Sequence, residues 1–150
     1  MKPGDLAPDF TLPDQDDHRW TLSAALLDGP VVLFFYPAAM TKGCTVESCH
    51  FRDLADAFRT AGAQRIGISM DRVERQSQFA LKHALDYPLL ADVDGGVAKA
   101  YGVKRAFDIL KVKRSTFVIG RDRRILDVVN SEFSMDAHAD RALAALARER

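Results

Sequence analysis

Val31-Val32-Leu33-Phe34-Phe35-Tyr36-Pro37-Ala38-Ala39-Met40-Thr41-Lys42-Gly43-Cys44-Thr45-Val46-Glu47-Ser48-Cys49 is the stretch that decides the fold of this 150-residue chain. Val31 to Tyr36 is an unbroken apolar run with β-branched and aromatic members, the composition of a central strand buried on both faces. Pro37 has no N–H to add to a ladder and stiffens the exit from that strand. From about Thr45 to Ala61 the pattern changes. Phe51, Leu54, Ala55 and Phe58 fall at helical spacing, and Gly62 supplies the stop.

Working outward, Asp9 to Leu12 and Arg19 to Leu22 are short alternating segments around the polar turn Asp14-Gln15-Asp16-Asp17, which predicts an N-terminal hairpin with Trp20 packed on it. Ser23 is placed to cap a short helical turn, Ala24 to Leu27, broken by Asp28-Gly29-Pro30. Arg65 to Ser69 reads as a second central strand, Asp71 as the cap of a helix over Val73 to His83, and Leu89 to Ala91 as a third strand. A short helix is expected over Asp94 to Tyr101, then a basic, irregular connection from Lys104 to Lys113. Ser115 to Ile119 and Arg124 to Val129 flank the turn Gly120 to Arg123, and Asp136 to Arg148 closes the chain as an amphipathic helix. Alternating strands and helices followed by an antiparallel pair and a helix predict an α/β fold. Its central mixed sheet is flanked by helices, and the order is compatible with a thioredoxin-like fold.

The length fits one domain, residues 1–150, large enough to bury roughly 68–70% of its unfolded-chain surface without a disulfide or metal. Lys plus Arg equals Asp plus Glu at 21 each, which argues against an electrostatic nucleic-acid surface. No apolar run approaches the ~20 residues of a membrane span, and the start, Met1 to Asp5, lacks a signal-peptide core, so a cytoplasmic address is expected. In a reducing compartment two cysteines are catalytic or plainly buried more often than a permanent bridge.

Both cysteines lie in the opening stretch. A thiol at a strand-to-helix junction meets the unpaired N–H groups of the first helical turn and the positive end of the macrodipole, which stabilise a thiolate. Gly43 lets backbone and a small ligand approach the sulfur, and Thr41 offers a hydroxyl that donates and accepts. Against this stands the plain alternative that Cys44 is a small buried hydrophobe. Cys49 follows five residues on. On a continuous helix two such positions are about 7.5 Å apart along the axis and about 140° apart around it. A disulfide cannot form there without backbone movement. If the two thiols pair, the first turns must unwind; if they do not, Cys49 is an inert cysteine on the helix.

Pro37-x-x-x-Thr41-x-x-Cys44 matches the active-site motif of the peroxiredoxins, and the run from Tyr36 to Asp53 resembles the peroxiredoxin Q, or bacterioferritin comigratory protein, subfamily. The resemblance extends to Gly4-Asp5-x-Ala7-Pro8-Asp9-Phe10 and to Arg114-Ser115-Thr116-Phe117-Val118-Ile119, and so covers nearly the whole chain as one domain of AhpC/TSA type. It implies a thiol peroxidase that reduces hydrogen peroxide and organic hydroperoxides. Cys44 would be the peroxidatic cysteine, Thr41 would align the peroxide, Arg114 would stabilise the thiolate and the departing oxygen, and Pro37 would shield the site. Cys49 would resolve the sulfenic acid as an intramolecular disulfide, recycled by thioredoxin or a glutaredoxin-like dithiol. Glu47, read from the sequence as lying in the first helical turn where the dipole favours a carboxylate, is expected to pair with and orient an arginine rather than act chemically. Read from sequence position alone, Arg114 is better taken as a surface arginine.

The chain departs from the family pattern where Ala38-Ala39-Met40 is apolar and where Lys42 stands in place of a frequent proline. An apolar rim favours alkyl hydroperoxides over hydrogen peroxide, while Lys42 adds positive potential or is simply solvated. His18, His50, His83 and His138 are scattered without metal-ligand spacing, and Asp92-Val93-Asp94-Gly95-Gly96 reads as a polar turn rather than a calcium loop, so no metal or cofactor is expected. The other expectations are a monomer or weak homodimer, with no nucleic-acid or membrane partner. Two competing functions remain: a thioredoxin-type reductase, which wants the C-x-x-C pair absent here, and a redox-sensing or holdase-like protein using the same cysteine.

Overall fold

The computed structural model describes residues 1–105, 111–132 and 134–149. The strands β1 (Thr11–Pro13) and β2 (Arg19–Thr21) pair antiparallel as the expected hairpin. Asp14 Oδ1 closes its turn by accepting from the amides of Asp16 and His18. Trp20 packs against Phe10, with ring centroids 5.6 Å apart. The short helix α1 (Leu22–Ala25) follows directly, so its N-cap is Thr21 and not Ser23. The Ser23 amide donates instead to Asp9 Oδ1.

The chain then forms β3 (Val31–Phe35), α2 (Lys42–Asp53), α3 (Ala55–Thr60), β4 (Gln64–Ser69), α4 (Val73–His83), β5 (Leu89–Ala91), α5 (Gly96–Ala100), β6 (Ser115–Ile119), β7 (Ile125–Asn130) and α6 (Met135–Arg148). Five strands make one sheet in the order β5-β4-β3-β6-β7, with β3, β4 and β5 parallel and β6 and β7 antiparallel to their neighbours. The opening run therefore sits at the centre, and alternation along β3 builds two cores. Val31, Leu33 and Phe35 face the side of α1 and α5, while Val32, Phe34 and Tyr36 face the side of α2, α4 and α6. Gly67 in β4 is required by this packing. A Cβ there would stand 2.8 Å from Leu89 Cδ2 and 3.0 Å from Phe34 Cζ.

Three further expectations are corrected. The single helix over residues 45–61 is two helices: α2 starts three residues earlier, at Lys42, and Leu54, at φ −97° and ψ 21°, interrupts the run before α3. The apolar spacing continues across the break because both segments lie on the same sheet face, so periodicity alone does not reveal it. Asp71 does not cap α4, whose N-cap is Arg72. The polar segment Asp92–Gly96 places α5 two residues later than expected: its N-cap is Gly95, and the Asp92 carboxylate accepts from the first-turn amides of Val97 and Ala98. Of the basic connection, residues 106–110 lie outside the described residues. Its two ends meet where Lys104 and Val112 form an antiparallel bridge.

Candidate active site

After β3 the chain turns sharply. Pro37 is buried, the Ala39 amide donates to Asp71 Oδ2 at 2.7 Å, and Ser69 Oγ donates to the same oxygen at 2.7 Å. Met40 adopts a left-handed backbone, φ 70°, which few non-glycine residues do. Asp71, read from sequence as a helix cap, is thus the anchor of the loop before α2. The first helical bond of α2 runs from the Thr45 amide to the Thr41 carbonyl at 2.9 Å. The amides of Lys42, Gly43 and Cys44 precede it and form the positive end of the helix. Cys44, the third residue of α2, is 0% exposed.

Arg114, seventy residues away and directly before β6, reaches this sulfur. Its Nη2 donates to Cys44 Sγ at 3.2 Å and its Nη1 donates to Glu47 Oε1 at 2.7 Å. The guanidinium is itself buried, 6% exposed. Residues 114, 116 and 118 share one face of the β6 segment by strand alternation, the face on which α2 and α6 pack. Gly43 makes room for the contact, since a Cβ there would lie 3.2 Å from Arg114 Nη2 and 3.7 Å from Met135 Sδ. Gly43→Ala is therefore expected to displace the guanidinium by a few tenths of an ångström and lower the catalytic efficiency of the Cys44 site about tenfold. Steady-state kinetics on a variant with an unchanged melting temperature checks this, and wild-type kinetics would remove the steric account of Gly43.

Glu47 lies in the second turn of α2, not the first, so the macrodipole is not what holds it. It is 0% exposed, and burial pushes its carboxyl up to about 8 against the opposing pull of Arg114. Its Oε1 accepts from Arg114, while Oε2 has no hydrogen-bond partner. Three residues that sequence reasoning passed over complete the surroundings. Glu132 accepts from the Arg114 amide at 3.1 Å and from Arg105 Nη2 at 2.8 Å. Thr116 Oγ1 lies 2.8 Å from His138 Nδ1, and His138 Nε2 lies 2.8 Å from the Ser131 carbonyl. His138 carried a signal: it shares the buried stripe of α6 with Ala139, Ala142, Ala145 and Leu146, where a polar residue needs a partner. Glu132 and Thr116 carried none.

Thr41 is exposed and donates from Oγ1 to the Ala38 carbonyl at 2.8 Å. Lys42 is exposed. Of the rim, Ala39 is buried and Ala38 and Met40 are half-buried. Cys49 is half-buried on the same unbroken helix as Cys44, and both are free thiols. The second half of α2 is tied down. Tyr87 Oη donates to the Ser48 carbonyl at 2.7 Å, Arg65 Nη1 donates to the Phe51 carbonyl at 3.0 Å, and the Phe51 ring stacks on Phe34 at 4.1 Å. In the first turns, Arg114 donates to Cys44 Sγ and Glu47 Oε1.

A buried thiol at a helix N-terminus with a guanidinium on its sulfur is suited to nucleophilic chemistry. The comparisons point to the same class of chemistry. The AhpC/TSA family model matches residues 3–128. A Mycobacterium tuberculosis protein described as a peroxiredoxin is 60% identical over 148 residues, covering 97% of this chain and 96% of its own. Peroxiredoxin Bcp of Escherichia coli K12 is 38% identical over 147 residues, with 93% and 92% covered. Among solved structures, peroxidoxin BcpB from Mycobacterium tuberculosis superposes with a TM-score of 0.96 at 58% identity, covering 100% of this chain and 99% of the other. The described architecture is accordingly thioredoxin-like. Similarity of this extent over both whole chains places the protein: it belongs to the AhpC/TSA family and is a peroxiredoxin, a thiol-dependent peroxidase.

Proposed function

We propose that Cys44 is the peroxidatic cysteine and Cys49 the resolving one, within a single domain spanning residues 1–150. The observation that carries this is the 3.2 Å contact from Arg114 Nη2 to a fully buried Cys44 Sγ. The thiolate attacks the terminal oxygen of the peroxide. An S–O bond forms, the O–O bond breaks, and the departing alkoxide or hydroxide takes a proton and leaves as alcohol or water. Arg114 stabilises the thiolate and the charge that grows on the departing oxygen. Thr41 gives its hydrogen to the Ala38 carbonyl, so its lone pairs are the ones turned to the peroxide hydroxyl. Pro37 and Gly43 bound the pocket, one excluding water and one leaving space.

Resolution then requires the first turns of α2 to open, because both sulfurs sit on one intact helix. Cys49 attacks the sulfenic sulfur, an S–S bond forms and water leaves. A thioredoxin or glutaredoxin-like dithiol reduces the disulfide by exchange. The anchors on Ser48 and Phe51 hold the second half of the helix, so the opening is confined to the segment that carries Cys44. The reading includes both hydrogen peroxide and organic hydroperoxides, with the apolar rim of Ala38, Ala39 and Met40 favouring the organic ones. It places the protein in the cytoplasm as a monomer or weak homodimer. No described helix is long and apolar enough to cross a membrane.

The test is thioredoxin-coupled consumption of cumene hydroperoxide and hydrogen peroxide by wild type and Cys49→Ser. The variant is expected to complete one oxidation and then lose most coupled turnover, while wild-type protein loses two hydrogens by mass after one equivalent of peroxide. Undiminished turnover by Cys49→Ser defeats the resolving role. A specificity constant for hydrogen peroxide equal to or above that for cumene hydroperoxide defeats the role given to the rim.

A further inference from the structure

Arg114 is shared. One nitrogen serves Glu47 Oε1 at 2.7 Å and another serves Cys44 Sγ at 3.2 Å, and all three side chains are buried. If Cys44 is a thiolate and Glu47 a carboxylate, two buried anions face one guanidinium and the group carries a net negative charge out of reach of water. Such a charge is costly unless it is paired or neutralised by a proton. The position for that proton lies on the far side of Glu47. Its unpartnered Oε2 stands 3.6 Å from His138 Nδ1, and His138 is 0% exposed. His138 Nε2 lies 2.8 Å from the Ser131 carbonyl, which only accepts, so Nε2 carries a hydrogen. Nδ1 is then the ring atom with a choice. Thr116 Oγ1, at 2.8 Å, suits either form: it donates to a bare Nδ1 and accepts from Nδ1–H. The His138 ring is therefore satisfied both as a neutral imidazole beside a Glu47 acid and as an imidazolium beside a Glu47 carboxylate, with the same total charge.

We infer that Glu47 and His138 hold one proton between them while Cys44 is a thiolate, which leaves Arg114 to the sulfur and makes His138 a positioning residue acting through Glu47. This rests on the reading of Cys44 as the reactive thiol. The electrostatics agree: burial pushes the Glu47 carboxyl up to about 8, and burial pushes the His138 imidazole down, so near neutral pH the proton sits toward Glu47. The groups that face the pair are few. Among the described residues, Glu47 sees Arg114 before β6, Glu132 from the β7–α6 connection, Tyr87 before β5 and His138 from α6, while Cys44 on its own helix bears on it through Arg114. His138 sees in addition Arg141 on its own helix. Glu132 is paired with Arg105, and His50, the other histidine of the α2–α6 seam, is engaged with Asp136 and Asp140 at the surface.

The test measures alkylation of Cys44 by iodoacetamide against pH, in a Cys49→Ser background so that one thiol reports. His138→Gln keeps a polar, uncharged side chain. It is expected to lower the rate at pH 7 about three- to tenfold relative to its own high-pH plateau, the size of a proton hold weakened by up to about one pH unit. The plateau itself should not move. Adding Glu47→Gln should restore the pH 7 rate to within about twofold, since a neutral amide again leaves Arg114 to the sulfur. A purely structural role for His138 would move the plateau and would not be rescued by the amide. A folded His138→Gln protein with an unshifted profile overturns the inference. Should that variant not fold, nitrogen-15 imidazole shifts of His138 decide the matter in the Cys49→Ser protein. The pair is expected to release its proton at lower pH when Cys44→Ser removes the thiolate charge, and an unchanged titration overturns the inference. Neither readout uses peroxide, so a failure of the proposed peroxide cycle is distinguishable from a failure of the proton-holding pair.

Discussion

Cys44→Ser is expected to reduce thioredoxin-coupled peroxide consumption by about 10⁴-fold or more. A hydroxyl in place of the thiol holds its proton far more tightly, so the nucleophile is lost while the volume of the site barely changes. The residue is fully buried at the start of α2, and serine still offers an oxygen to Arg114 Nη2, so the fold should persist. A circular-dichroism melt within a few degrees of wild type, together with absent turnover and no peroxide-dependent mass gain, is the expected result. The only other sulfur of this kind is Cys49, half-buried and free. Turnover within about 100-fold of wild type in Cys44→Ser would therefore move the chemistry to Cys49 and reverse the assignment of the two thiols.

Arg114→Met carries the second largest effect, and it acts on two measurements at once. Loss of the guanidinium removes the cation beside the sulfur and beside the departing oxygen, which is expected to lower kcat/KM about 10²–10³-fold. It also strands Glu47, which is 0% exposed. Breaking a buried pair typically costs about 3–5 kcal/mol. Here the loss depends on pH, because the carboxyl can take up a proton instead. The Glu47 pKa is raised in the folded protein to about 8, from an ordinary value of 4.5. Its contribution to stability is thus fully present below 4.5 and is lost as pH rises through the folded value. Arg114 is what holds that folded value down, so the variant keeps the proton to higher pH. The stability gap between wild type and Arg114→Met is expected to be smaller at pH 6 and to widen above about pH 8, where wild-type Glu47 ionises against its arginine. Urea melts at pH 6 and pH 9 check this. A gap that narrows with rising pH would show that Glu47 ionises without help from Arg114.

Much of the fold was legible because it is written in local pattern. The run from Val31 to Tyr36 can hardly be anything but a strand covered on both faces, and the two alternating cores on either side of β3 follow from that. The misreadings have physical causes. Helical periodicity says which face is buried but not where the first hydrogen bond closes, so α2 begins at Lys42, three residues before the expected start at Thr45. Asp71 looked like a cap because caps are the common local use of aspartate, whereas its carboxylate serves the amide of Ala39, a residue 32 positions away. His138 looked scattered because its neighbours in sequence are alanines, and its neighbours in space come from β6 and α2.

The same distinction separates what the chain determines alone from what tertiary structure adds. Sequence by itself placed a thiol at a strand-to-helix junction, put Cys49 too far along one helix to bridge without unwinding, and left Gly43 as the one residue with no side chain beside the sulfur. These depend on the covalent order and on helix geometry, which any neighbourhood preserves. Only the assembled sheet brought Arg114 to 3.2 Å from Cys44, buried Glu47 against it, and set His138 and Thr116 behind them. Charge and proton affinity depend on what surrounds a group once water is excluded, and that surrounding is assembled from α2, the start of β6 and α6, segments with no local signal that they will meet.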